Sequence, residues 1–165
     1  MGDEKIMNQA KTHTLKTIRE EFNDYELEDG NIIRSKHVLI SFGFTGELKK
    51  SETGKDVAKM KVSMKHVAGV VSLVDIDTTV LEQYTGQQIN KSTYIKKIQF
   101  KPNKTFINLY ETDEFLITIE NTVNEIWLTK FKDESDTPLY HVVANAILDA
   151  KLKNDENRTK PHLEK

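Results

Sequence analysis

Five histidines, His13, His37, His66, His141 and His162, are the first candidates for chemistry in this chain. No two stand at the i, i+2 or i+4 spacing that brings two imidazoles onto one metal ion. His66 and His141 lie in apolar, strand-like stretches, where a lone imidazole more often serves as a hydrogen-bonded core group. His37 and His66 fall on two strands joined by one loop and are expected as cross-strand neighbours. If hairpins bring His37, His66 and His141 together, a metal or acid–base site follows; otherwise no metal site is expected. The carboxylates Glu111, Asp113 and Glu114 cluster where a turn is expected, and solvation explains them there. Asp75-Ile-Asp77 and Asp133-Glu-Ser-Asp136 lack the alternating oxygens, glycine and closing glutamate of a calcium loop. Phosphate loops, a serine nucleophile elbow and a zinc-protease helix are missing as motifs, and the pair Gly43 and Gly46 lacks the lysine directly after the second glycine and an expected following helix. No catalytic residue is nominated and no cofactor is implied.

Lysine gives the stronger lead. Lys59, Lys61 and Lys65 alternate along one expected strand face, and Arg34 and Lys36 lie on its expected hairpin partner. Lys49, Lys50 and Lys55 fall between them in an expected polar loop. Lys96, Lys97, Lys101 and Lys104 follow, with Tyr94, Phe100 and Phe106 interleaved. Lysines on strands can track phosphates and aromatics can stack bases. Lysine on a strand also blocks edge-to-edge aggregation, and a patch whose one arginine is Arg34 is poorly equipped to read bases.

These lysines belong to a marked division of charge. The formal net charge of the chain is −2. Residues 1–32 carry 4 basic and 8 acidic side chains, residues 33–104 carry 13 and 6, and residues 105–165 carry 7 and 12. A basic middle between acidic flanks says more about partners than the total does.

The 165 residues suffice for one domain with its own core, expected over 1–152, and the charged segment 153–165 is expected to be a disordered tail. The chain has no cysteine, which removes disulfides, thiolate zinc sites and cysteine nucleophiles. No apolar run approaches the roughly 20 residues that span a bilayer, so no membrane is expected. Asp3 and Glu4 argue against a signal peptide, and Ile6 stands where a myristoylation signal wants Ser or Thr. The cytoplasm is the expected compartment.

To position these side chains, the pattern predicts an α+β domain: an N-terminal helix packed on a curved, mainly antiparallel sheet of long hairpins, barrel-like if it closes. Ile6, Ala10, Leu15, Ile18 and Phe22 suggest the helix over 5–22. Glu28-Asp-Gly-Asn31 supplies a tight turn before a strand from Ile32 to Phe44. Alternation over Val57–Val74 predicts its partner, with Gly69 at a bend. A short helix is expected over Val80–Tyr84. Hairpins are expected around Pro102–Lys104 and around Asn121–Asn124. Leu139–Leu152 fits a helical stripe somewhat better than a strand face. The pentapeptides Val67–Val71 and Val143–Ile147 echo each other; if related, they imply two similar hairpin halves and a final strand. The turn and strand over Tyr25–Leu39, with Gly30, Arg34 and Lys36, resemble small uncharacterised archaeal proteins; that resemblance implies no activity.

The expected function is a non-catalytic binding or assembly module. Its basic hairpin face, Arg34, Lys36, Lys59, Lys61, Lys65, Lys96, Lys97 and Lys101, would meet an acidic protein surface, a second copy or a nucleic acid. The alternative is a small-ligand carrier or enzyme with a pocket in the curved sheet, lined by Phe42, Phe44, Met60, Met64 and Trp127.

Overall fold

The computed structural model describes residues 11–12, 14–50 and 56–153, with side chains for 14–43 and 60–153. The strands are β1 (Lys11–Thr12), β2 (Lys16–Arg19), β3 (Asn23–Leu27), β4 (Ile32–Lys50), β5 (Asp56–Val71), β6 (Glu82–Gln83), β7 (Tyr94–Lys97), β8 (Phe100–Lys104), β9 (Ile107–Glu111), β10 (Phe115–Lys132) and β11 (Pro138–Leu152). One 3-10 turn, Lys91–Thr93, precedes β7. The protein is therefore nearly all β, 66% strand with no helix of seven residues among the described residues, and not α+β.

Two sheets carry the core. In the first, β4 pairs with β5 along one edge and with β3 and β1 along the other, and β8 lies outside β3. In the second, β10 pairs with β11 along one edge and with β9, β7 and β6 along the other, and β2 lies outside β9. All these pairings are antiparallel except β6 with β10.

Several expectations are corrected. The described part of 5–22 holds β1 and β2 and no helix; residues 1–10 and 13 lie outside the described residues. Helical spacing is a weak prior there, because Thr12, Thr14, Thr17 and Ile18 are β-branched and β9 offers an open edge. Residues 79–86 form turns and the two-residue β6 instead of a helix. Asp77 there accepts from the Thr79 backbone N–H and hydroxyl, at 3.0 and 2.8 Å. Leu139–Leu152 is strand: the alanines that suggested a helix, Ala144, Ala146 and Ala150, are inward positions packed on the cores. Asn121–Asn124 is not a turn. β10 runs through it, with an irregularity between Val123 and Glu125, because side-chain partners satisfy Asn121 inside the sandwich. Pro102–Lys104 makes no hairpin either, since β8 and β9 belong to different sheets. β4 extends to Lys50, so Lys49 and Lys50 are strand residues, while Lys55 and the tail 154–165 lie outside the described residues.

The turn at Glu28–Asn31 forms where it was expected. Gly30 has a φ of +96°, which suits glycine, and a Cβ there would meet Val74 Cγ2 at 2.7 Å. Asn31 Oδ1 accepts from the Leu73 and Val74 N–H groups, tying the chain after β5 to this turn.

The architecture is a repeat. β2-β3-β4-β5 and β8-β9-β10-β11 each comprise an edge strand, a short strand, a long strand and its hairpin partner. Each edge strand crosses over: β2 pairs with β9 of the second repeat, and β8 with β3 of the first. The sequence Asn-x-Tyr-Glu occurs at the matching places, Asn23–Glu26 and Asn108–Glu111. The two asparagines act reciprocally. Asn108 Oδ1 accepts from Glu21 N–H at 2.9 Å, two residues before Asn23. Asn23 Oδ1 accepts from Phe106 N–H at 2.7 Å, two residues before Asn108. Each therefore pins the crossover of the other repeat. The pentapeptide echo is not this equivalence. Val71 pairs with Ile32, the first residue of β4, whereas Ile147 pairs with Glu120, well inside β10.

Two apolar clusters fill the sandwich. One joins Tyr25, Leu27 and Ile33 to Ile98, Val123 and Ile126. The other joins Tyr110, Phe115, Ile117 and Ile119 to Leu39 and Phe42. Each draws on both repeats, so neither half buries its apolar face alone.

Candidate functional site

Strand alternation sets the outer face of the β4–β5 hairpin. Ile33, Ser35, His37 and Leu39 turn inward and are buried, so Arg34 and Lys36 turn outward. Register then places Gly69 beside Arg34, Val67 beside Lys36, Lys65 beside Val38 and Lys61 beside Gly43. Arg34, Lys36, Lys61 and Lys65 thus share one face. Lys59 continues the alternation of Lys61 and Lys65 on the β5 backbone.

The fold does not leave all these cations free. Arg34 pairs with Asp24 at 3.1 Å. Lys36 pairs with Glu20 at 3.2 Å and stands 4.4 Å from the centre of the Phe22 ring. Lys96, Lys97 and Lys101 lie elsewhere, on β7 and β8. They meet Glu28 at 3.3 Å, Glu125 at 3.7 Å and Glu26 at 3.5 Å. Acids of the two flanks therefore neutralise much of the basic middle within one molecule. Among the described residues, Lys61 and Lys65 are exposed and have no acid within ion-pair distance. Ile40, 55% exposed, adds apolar surface nearby.

The expected aromatic partners disperse. Tyr94 stacks on Trp127, with ring centres 4.7 Å apart, in the second sheet, and its hydroxyl bonds His141 Nδ1. Phe100 packs edge-on against Tyr25, and Phe106 lies under the Arg19 guanidinium. The residues expected to line one pocket also separate. Phe42 is fully buried, Met60 and Met64 pack on its cluster, Trp127 is in the other sheet, and the Phe44 side chain lies outside the described residues. A cleft of about 310 Å³ opens instead between the end of β5 and the start of β11, with Gly69, Val70, Pro138 and Tyr140 among its walls. The Tyr140 hydroxyl donates to Asp29 Oδ2 at 2.5 Å. Burial, then that carboxylate, pushes its pKa above the usual tyrosine range.

His37 and His66 pair across the hairpin, with ring centres 4.9 Å apart. Their partners lie between the sheets. His37 Nδ1 donates to Asn121 Oδ1 at 2.5 Å, Asn121 Nδ2 donates to Ser35 Oγ at 3.1 Å, and Ser35 Oγ shares a hydrogen bond with His66 Nε2 at 2.7 Å. Burial, then the charges of His37 and His141, lowers the pKa of His66 from the ordinary 6.5 and favours its neutral form. A serine–histidine pair can make a nucleophile, but Ser35 is 0% exposed and both its hydrogen bonds are used. Nor do any three His, Asp or Glu side chains gather as metal donors among the described residues. The chain joins the two repeats. His37 and Asn121 each stand four residues beyond the isoleucine, Ile33 or Ile117, that pairs with the repeat's tyrosine.

Sequence reading could not find Asn121, whose contacts to His37 and Ser35 span 84 and 86 residues, nor Ser35, which Asn121 ties into the chain. No helix among the described residues is long and apolar enough to cross a membrane. No protein-family model, curated protein or solved structure matches the chain.

Proposed function

We propose that the protein is a non-catalytic binding module that takes an acidic protein segment on the outer face of its β4–β5 hairpin. The observation that carries this reading is the pair Lys61 and Lys65, exposed and without an acid partner among the described residues, on the face that also holds Arg34 and Lys36. Lysine ammonium groups on a strand act as point charges and suit carboxylates arrayed on an extended chain. Ile40 and Val67 supply apolar contact between them. Nucleic acid fits less well, since Tyr94 and Trp127 stack on each other in the other sheet and the one arginine of the face is held by Asp24.

The test is fluorescence titration with a labelled acidic peptide of alternating Glu and Leu, and with a labelled single-stranded DNA oligomer. Lys61→Glu with Lys65→Glu should weaken peptide binding about tenfold, the order expected when two charge contacts reverse. Unchanged peptide affinity in that variant overturns the reading. Tighter binding of the DNA, with a steep salt slope, replaces the acidic segment by nucleic acid.

A further inference from the structure

β5 and β11 end their sheets at corresponding places, yet their edges differ in chemistry. Among the described residues β11 pairs only with β10, which leaves one row of its backbone N–H and C=O groups without a strand partner along 15 residues. Natural edge strands are blunted by lysine, proline, bulges or short length. β5 carries Lys59, Lys61 and Lys65 along its length. β11 has Pro138 only at its start, and from Leu139 to Leu148 it has no Lys, Arg, Asp or Glu. The irregularity in its pairing with β10 adds a residue, Asn124, to β10 and leaves β11 regular from Tyr140 to Leu152. Its outward side chains include Ile147, 60% exposed.

We infer that β11 pairs antiparallel with β11 of a second copy, joining the two second sheets edge to edge around a two-fold axis at Asn145. The sequence is self-complementary in that register. Val143 lies opposite Ile147 of the second copy, and His141 lies opposite Asp149 of the second copy, imidazole donor against carboxylate acceptor. On the inward face Ala144 meets Ala146 and Val142 meets Leu148. Moving the axis one residue toward the C-terminus sets His141 against Lys151 and Val143 against Asp149. Moving it one residue the other way sets His141 against Ile147 and Leu139 against Asp149. Complementarity of charge and size therefore selects Asn145 as the centre and a second copy as the occupant.

The chain has no cysteine, so one introduced thiol reports the register without interference. Cβ atoms of directly opposed residues on antiparallel strands lie about 4.5–5.5 Å apart, close to disulfide reach. Asn145→Cys should form a disulfide-linked dimer under mild oxidation about ten times faster than Val80→Cys, whose site is a highly exposed turn. Sedimentation of the full chain over about 1–100 µM should show dimer formation by mass action. Ile147→Lys should sediment as monomer over that range with an unchanged far-ultraviolet spectrum. A wild-type chain that stays monomeric, a dimer in which Asn145→Cys links no faster than Val80→Cys, or an Ile147→Lys chain that still dimerises each overturns the inference.

Discussion

The first repeat, β2 to β5, and the second, β8 to β11, share a plan and differ in what they show to solvent. Both present a short strand with a buried tyrosine, Tyr25 or Tyr110, and both continue into a long hairpin. The first hairpin is lined with lysine at its free edge, and the second is uncharged over most of its edge strand. Some buried positions match, Tyr25 with Tyr110 and Ile33 with Ile117, whereas buried His37 corresponds to Asn121. Outward positions are free to diverge, and there the two hairpins differ, lysine on β5 against an uncharged run on β11.

The largest effect should come from breaking the clusters that the repeats share. Phe42→Ala and Ile126→Ala each empty a fully buried site and should cost about 3–5 and 2–5 kcal/mol. Urea unfolding should show one transition in each variant, because each cluster takes side chains from both repeats. Two separated transitions would make the repeats independent units.

The reciprocal asparagines sharpen the equivalence. Asn23→Ala and Asn108→Ala should each cost about 1–3 kcal/mol, since each removes a buried side chain that holds partly buried backbone groups at a crossover. A cost in one and none in the other would show that the two crossovers are not equivalent.

Acid separates the repeats further, because the histidines of the central hydrogen-bond chain come from the first. The pKa of His66 in the folded protein lies below 6.5, so between those two values the unfolded chain binds more protons. Stability contributed by His66 is complete above pH 6.5 and falls as pH drops from there to the folded pKa. Unfolding free energy measured from pH 7.5 to 5 should fall less in His66→Gln than in the wild type. Equal loss in both chains would assign the acid sensitivity to other groups.

The smallest effect concerns the lysines. Lys61→Ala and Lys65→Ala should change stability by less than about 0.5 kcal/mol, as unpaired surface positions do. Lys36→Ala should cost about 1 kcal/mol, since its stem is largely covered and it loses both Glu20 and the Phe22 ring. Thermal melts of the three variants rank them, and a reversed order would mean that Lys61 and Lys65 hold the fold instead of facing a partner.

The chain's local patterns determined much of this by themselves. Glu28–Asn31 carries its own turn chemistry, and period-two alternation from Ile32 and over Val57–Val74 marked a long hairpin, which ends at Val71 and whose register sets His37 beside His66. Only the tertiary structure decided the remainder. Whether Lys11–Thr12, Lys16–Arg19 and Leu139–Leu152 became helix or strand depended on the open edges of β4, β9 and β10, because backbone groups there gain partners that propensity does not register. The same holds for charge. The +7 middle and its acidic flanks are visible in sequence, yet Arg34, Lys36, Lys96, Lys97 and Lys101 lose their availability to Asp24, Glu20, Glu28, Glu125 and Glu26. Ion pairs form between neighbours in space, and the crossing of β2 and β8 between sheets brings the flanks alongside the middle.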